Sequence, residues 1–170
     1  MADSRVGRDE LFRTPANFLA LGAGSGLAPR APGTFGTLAA VPLAFLMPSG
    51  TLAQLVVVAL LFVVGVWCCG RCATDLGVHD HGAIVWDEIV GYLLTMVAVP
   101  RTVGYVVLGF LLFRVFDILK PWPIGPIDRR VQGGLGIMLD DIVAALFALA
   151  LLQLALRSGW LATLPGFALA

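Results

Sequence analysis

The chain has 170 residues, 13% of them charged and 59% hydrophobic, with a net charge of zero and a mean hydropathy of +0.93. Typical globular chains carry about 25% charged residues, and a soluble domain this small has too little interior to hide so much apolar surface. The composition points to a membrane as the solvent, and zero net charge without a basic patch argues against a nucleic-acid binder.

The first residues, MADSRVGRDELFRTPANFLA, are mixed in charge. They lack a compact apolar core followed by a small-residue cleavage site, so no secretory signal is expected. Residues 1–21 are read as a cytoplasmic N-terminal segment. The stretch GAGSGLAPRAPGTFGT, residues 22–37, is rich in glycine. Glycines let a backbone approach an anion, and amides at the following helix N-terminus point at it. No Gly-Lys-Ser/Thr follows, so it is not a Walker A loop. Alone, a turn packing small residues against the next helix explains it equally well.

Five apolar runs come next, at about 34–48, 51–69, 84–99, 102–119 and 138–156. Only the second and the last approach the roughly 20 residues of a straight span, and the first contains Pro42. No strand alternation or internal repeat stands out. Backbone groups in lipid must be satisfied within the segment, so the predicted fold is all-α. It is a membrane bundle of about four to five hydrophobic helices, forming one domain over 22–157 with an apolar tail at 158–170. Cys68, Cys69 and Cys72 crowd the end of the second run; they make no disulfide framework and suit a reducing compartment. Cys69 and Cys72 form a C-x-x-C with His79 and His81 beyond it, but no second cysteine pair completes a zinc site, and helix-end packing is the better reading.

Pro48-Ser49-Gly50 and Pro100-Arg101-Thr102 are turn signals that close two hairpins. With alternating crossings, one side collects Arg5, Arg8, Arg13, Arg30, Arg71, Arg114, Lys120, Arg129 and Arg130, and the other keeps Arg101 and Arg157. Positive residues favour the cytoplasmic side, so the N-terminus is expected inside. Asp87 and Glu88 lie 14 and 13 residues before Arg101; Arg114 and Asp117 lie 13 and 16 after it. Residues equidistant from an antiparallel turn share a depth, here roughly 20 Å from the outer end. Asp140 and Asp141 are expected to open the last helix from that same side.

Ionisable residues at membrane depth cost roughly 2.5–3.5 kcal/mol each on insertion scales and mark functional sites. The bland reading keeps each acid at a helix end in the headgroup region, paired with Arg114 or Lys120. Several carboxylates at a water–lipid boundary make a magnesium site, because Mg²⁺ takes oxygen ligands and is held by carboxylates plus substrate phosphates. Arg114, Lys120 and Arg129 would neutralise phosphate oxygens. A phospholipid head group at the cytoplasmic face is then the expected substrate. The segment KPWPIGPIDRR, residues 120–130, reads as a rigid interfacial loop with Trp122 as a headgroup anchor and Asp128 as a site residue or loop cap. Each residue of His79-Asp80-His81 can serve as general acid for a leaving alkoxide, with His81 the candidate carried forward, although a lone loop histidine is more often a simple hydrogen-bonding residue.

Four stretches together resemble the phosphatidylglycerophosphatase A family: GSGLAPRAPGTFGTLAAVP, GVHDHGAIVWDEIVGYLLTM, FRVFDILKPWPIGPIDRRV and GGLGIMLDDIVAA. They run in order over most of residues 22–145. The resemblance implies a bacterial inner-membrane enzyme that hydrolyses phosphatidylglycerophosphate to phosphatidylglycerol and inorganic phosphate and requires Mg²⁺. It places the motif acids on Asp87, Glu88, Asp117, Asp128, Asp140 and Asp141, with Lys120 and Arg114 as basic companions and Pro32-Gly33-Thr34 in the glycine-rich loop. The resulting site expectation has Asp87, Glu88, Asp140 and Asp141 on the metal. Asp117, Asp128 and His81 are assigned to catalysis, and Gly33, Thr34, Arg114, Lys120 and Arg129 to the phosphate. Attack by a metal-activated water is the expected chemistry, with a phospho-aspartyl intermediate on Asp117 or another acid as its alternative. The competing class is a small cation- or proton-coupled transporter. It calls for acids near the bilayer midplane and for repeat symmetry, and the sequence shows neither.

Overall fold

Apolar runs punctuated by proline and glycine become helices here, and no strand occurs among the described residues, 6–167 of a computed structural model. Arg5, counted among the inner cations, and the last three residues of the apolar tail lie outside them. The α-helices are α1 (Arg8–Leu11), α2 (Pro15–Ala20), α3 (Pro32–Leu46), α4 (Thr51–Leu76), α5 (Trp86–Thr95), α6 (Val103–Leu119), α7 (Ile124–Arg130) and α8 (Gly133–Ser158). Short 3₁₀ turns occupy Gly22–Leu27 and Trp160–Thr163. The all-helical bundle predicted from the sequence is the fold.

Local chemistry sets the boundaries. Thr14 caps α2 by accepting from the Asn17 amide at 3.1 Å, the usual task of a threonine at that position. Pro32 occupies the first turn of α3, where its missing N–H costs nothing. Gly77, at φ +70°, ends α4 in the left-handed conformation glycine adopts without strain. The helix thus runs seven residues past the expected end at 69 and contains all three cysteines, which are buried and free. The Cys69 thiol packs on Met138 Sδ at 3.9 Å, and no cysteine–histidine metal cluster forms among the described residues.

Three other expectations change. The run 84–99 is not a span: α5 has ten residues, roughly 15 Å, and is buried from Ile89 to Thr95. A helix apolar all round belongs in a protein interior, and α5 is the central element, packed against α3, α4 and α8. The last helix starts at Gly133 rather than 138, so Asp140 and Asp141 lie two turns inside it. Its glycine-rich start, outside the expected run, is an α4–α8 contact. A Cβ on Gly134 would fall 1.9 Å from the Val66 carbonyl oxygen, so only glycine permits that approach. Finally, part of the proline-rich loop is α7.

Two helices, α4 and α8, are long and apolar enough to cross a membrane; at 26 residues each is roughly 39 Å long. The chain alternates direction. At one end the Gln54 amide donates to Pro48 O at 2.7 Å and accepts from Ala98 N at 2.9 Å. Arg101 donates to Pro48 O at 2.8 Å, and Gln153 donates to Ala98 O at 3.0 Å. The ends of α3, α5 and α8 therefore meet the starts of α4 and α6. The acids gather at the opposite end.

Candidate active site

The site is built by the first turn of α5, the last turns of α6, α7, and the early part of α8, with the start of α3 laid across it. Asp87, Glu88 and Asp141 each offer a carboxylate oxygen, and these oxygens lie within 4.8 Å of one another. Asp87 and Asp141 are buried, and Glu88 nearly so. Glu88 ion-pairs with Arg114 at 3.6 Å, and Arg114 also donates to Asp117 one helical turn on. Asp117 stands within electrostatic reach of Glu88 and Asp141. Glu88 Oε2 and Asp141 Oδ2 are buried and accept no hydrogen bond from the described residues.

Beside this cluster, Lys120 forms a second group. Its position at the end of α6, at φ +41°, turns the side chain so that Nζ donates to Asp128 and Asp140 at 2.7 Å each. Burial disfavours the ammonium charge, but the two hydrogen-bonded carboxylates outweigh it and hold the lysine pKa above its usual value. Asp140, expected in the metal set, is drawn to Lys120 rather than into the three-acid cluster, and keeps Oδ1 buried without a hydrogen bond among the described residues.

The glycine-rich segment ends against the first group. Ala31 takes a left-handed conformation, φ +49°, and α3 begins at Pro32. A Cβ on Gly33 would lie 2.0 Å from Glu88 Oε1 and 3.1 Å from Arg114 Nη1. A side chain at this position would have to push the Glu88 carboxylate out of that space. Thr34 follows, half-buried, its amide closing a turn to Ala31 O at 2.9 Å. Arg129 is exposed on α7, and Trp122 is 82% exposed beside it.

The histidines serve the loop that leads into α5. His81 Nδ1 accepts from Ala83 N at 3.1 Å, and His79 Nε2 accepts from Gly133 N at 3.0 Å, fastening that loop to the start of α8. Asp80 between them stands within electrostatic reach of Lys120, Asp128 and Asp117. In sequence Asp80 is only one of three general-acid candidates in this loop, and the fold shows which charges it faces.

Fully ionised, Asp87, Glu88, Asp117, Asp128, Asp140 and Asp141 outnumber Arg114 and Lys120 six to two. Two unit charges 4.8 Å apart repel by about 3.5 kcal/mol at an effective dielectric of about 20. A cation relieves that repulsion. The donors are all carboxylate oxygens, the set that suits a hard metal ion rather than a soft one, and the unbonded oxygens of Glu88 and Asp141 have lone pairs to give. The three-acid cluster fits a metal ion.

A family model described as Phosphatidylglycerophosphatase A matches residues 18–156. Phosphatidylglycerophosphatase A of Escherichia coli strain K12 is 49% identical over 141 residues, covering 81% of each chain. The protein of the same name from Haemophilus influenzae is 45% identical over 137 residues, 79% of this chain and 84% of its own. A Bacteroides thetaiotaomicron relative, 36% identical over 143 residues, covers 79% of this chain and 89% of its own, and bears the provisional name of a phosphatidylinositol-3-phosphatase. No solved structure matches. All the acids of the cluster fall inside the matched residues, and the chain belongs to the phosphatidylglycerophosphatase A family of enzymes.

Proposed function

We propose that the chain is a magnesium-dependent lipid phosphatase converting phosphatidylglycerophosphate to phosphatidylglycerol and inorganic phosphate. The observation that carries this reading is the convergence of Asp87, Glu88 and Asp141 beside Arg114 in a chain of this family. Those three carboxylates would hold the ion. Bound there, magnesium supplies the charge that polarises a phosphoryl oxygen.

The chain's own groups do the rest. Arg114, held between Glu88 and Asp117, presents a planar fork of donors to the phosphate, and Lys120 adds a point charge from its place between Asp128 and Asp140. At the first turn of α3 the Gly33 amide is suited to an anion, and Thr34, whose amide is bonded to Ala31 O, would offer its hydroxyl. Arg129 on the exposed side of α7 extends the cationic surface toward the second phosphate of the head group. Water attacks phosphorus, the ester P–O bond breaks, and the departing glycerol oxygen takes a proton. Asp117 receives the proton of the attacking water, His81 donates to the leaving oxygen, and Asp128 holds the Lys120 ammonium at the reacting phosphate. Asp140 aligns Lys120.

The bundle sits in a bacterial inner membrane with this end on the cytoplasmic side. The excess of cations on that side and the exposed Trp122 at headgroup level support the orientation. Residues 22–157 act as one helical phosphatase domain. The gathering of acids at one end of the bundle, rather than at its middle, favours hydrolysis over transport.

The test is phosphate release by the purified protein in detergent, from phosphatidylglycerophosphate and from phosphatidylinositol 3-phosphate, with Mg²⁺ or with chelator. Release from the first lipid that stops on chelation and returns with Mg²⁺ is expected. No release at any Mg²⁺ concentration defeats the proposal, and faster release from the inositol lipid reassigns the head group.

A further inference from the structure

The α6 helix carries an unbroken lane of exposed apolar residues: Val103, Val107, Leu111, Val115 and Ile118, each about half exposed or more. Steps of four and three residues place them on one face. Arg114 belongs to the same face, three residues after Leu111 and four before Ile118, so the lane leads directly to the guanidinium beside Glu88. At its outer end the lane becomes a cleft. The C-terminal segment is strapped to the start of α6 by Gly104 N donating to Gly166 O at 2.8 Å and by Phe167 meeting Tyr105 edge-on at 5.0 Å. Between Val103, Val107 and Leu111 on one side and Pro165, Gly166 and Phe167 on the other lies an apolar space of about 330 Å³.

We infer that this lane and cleft bind one acyl chain of the lipid whose phosphate lies at Arg114; the inference rests on the phosphatase reading above. The register carries it. Arg114 to Val103 is eleven residues, roughly 16 Å along the axis, and one leaflet of a core about 30 Å thick is about 15 Å. A phosphate at Arg114 therefore sets the end of an acyl chain at the cleft. The exposed face of α4 is also apolar, but no residue of the site lies on it. The occupant is the substrate's own tail rather than bulk lipid, because this lane joins Arg114 of the site to an apolar cleft one leaflet away.

The experiment compares dipalmitoyl and dihexanoyl phosphatidylglycerophosphate as substrates of the wild type and of Val107→Trp, which fills the cleft. Val107 touches no reacting group. Each methylene kept from burial costs about fourfold in binding, so the variant is expected to raise KM for the dipalmitoyl lipid about tenfold or more. The dihexanoyl lipid, too short to reach Val107, should show unchanged kcat and KM, which also proves the variant folded. Equal shifts for both lipids, or no shift for either, overturn the inference. A dipalmitoyl analogue with a photoreactive chain terminus gives a second readout on the wild type. Cross-linking confined to α6 and residues 165–167 supports the lane, and label spread over α4 overturns it. A wild type that binds the analogue in the cleft yet releases phosphate from neither lipid would instead defeat the phosphatase reading alone.

Discussion

Glu88 and Arg114 stand thirteen residues on either side of Arg101, and their side chains meet at 3.6 Å. The turn places them at one depth, and Gly33 leaves the space in which they meet. A methyl group there would lie 2.0 Å from Glu88 Oε1. Gly33→Ala should therefore displace the carboxylate and cut phosphate release at least about tenfold, since a misplacement of about 1 Å in a catalytic array costs on the order of a hundredfold. Gly82→Ala is the control, because a Cβ at Gly82 meets nothing within 4 Å. Phosphate release by the two variants at matched protein levels checks this, and equal activities would contradict it.

The three-acid cluster predicts opposite effects on activity and on stability. Asp87→Asn or Asp141→Asn removes one of the charges held within 4.8 Å. In chelator each variant should be more stable than the wild type by about 1–3 kcal/mol, the order of one screened repulsion. Adding Mg²⁺ should raise the melting temperature of the wild type and leave the variants little changed, because a ligand stabilises only a fold that binds it. Thermal unfolding in detergent, with and without Mg²⁺, measures both.

Lys120 is the sole cation bonded to buried Asp140 among the described residues. Lys120→Ala leaves that carboxylate without its partner, and breaking such a pair costs about 3–5 kcal/mol when fully buried. With Lys120 partly exposed, a loss of about 2–4 kcal/mol is expected. Lys120→Met combined with Asp140→Asn should recover most of the stability without recovering activity. Denaturation and phosphate release on the single and double variants separate the two roles.

The cysteines predict a negative result. Cys68, Cys69 and Cys72 are fully buried in α4, with Cys69 against Met138 of α8. Their simultaneous replacement by alanine should leave the metal requirement unchanged and cost about 1–3 kcal/mol in lost packing. Zinc content and phosphate release of the triple variant are the readouts; a lost activity restored by zinc would overturn the packing role.

Much of this was legible in the sequence. The excess of apolar residues, the runs broken at Pro48 and Pro100, and the position of each acid relative to Arg101 were enough to expect a helical bundle with its carboxylates at one end. What failed were arguments from length and local composition. The run around Asp87 is as apolar as a lipid-facing span, yet it is a ten-residue core helix, because apolarity does not say whether the neighbour is lipid or protein. The last apolar run begins at about 138 and leaves Gly133-Gly134-Leu135-Gly136 outside it, yet these residues open α8, because a glycine's low helix propensity is outweighed when its missing side chain lets two backbones touch.

The sequence by itself determined the apolar composition, the helical architecture and the chemical types gathered at one level, since these follow from hydropathy, periodicity and distance along the chain. Only the tertiary structure decided how the charges divide. Asp87, Glu88 and Asp141 converge on one point, while Asp140, adjacent to Asp141 in the chain, turns to Lys120 and Asp128. Successive residues on a helix point about 100° apart, so neighbours in sequence face different partners, and which partner each one meets depends on where the other helices pack.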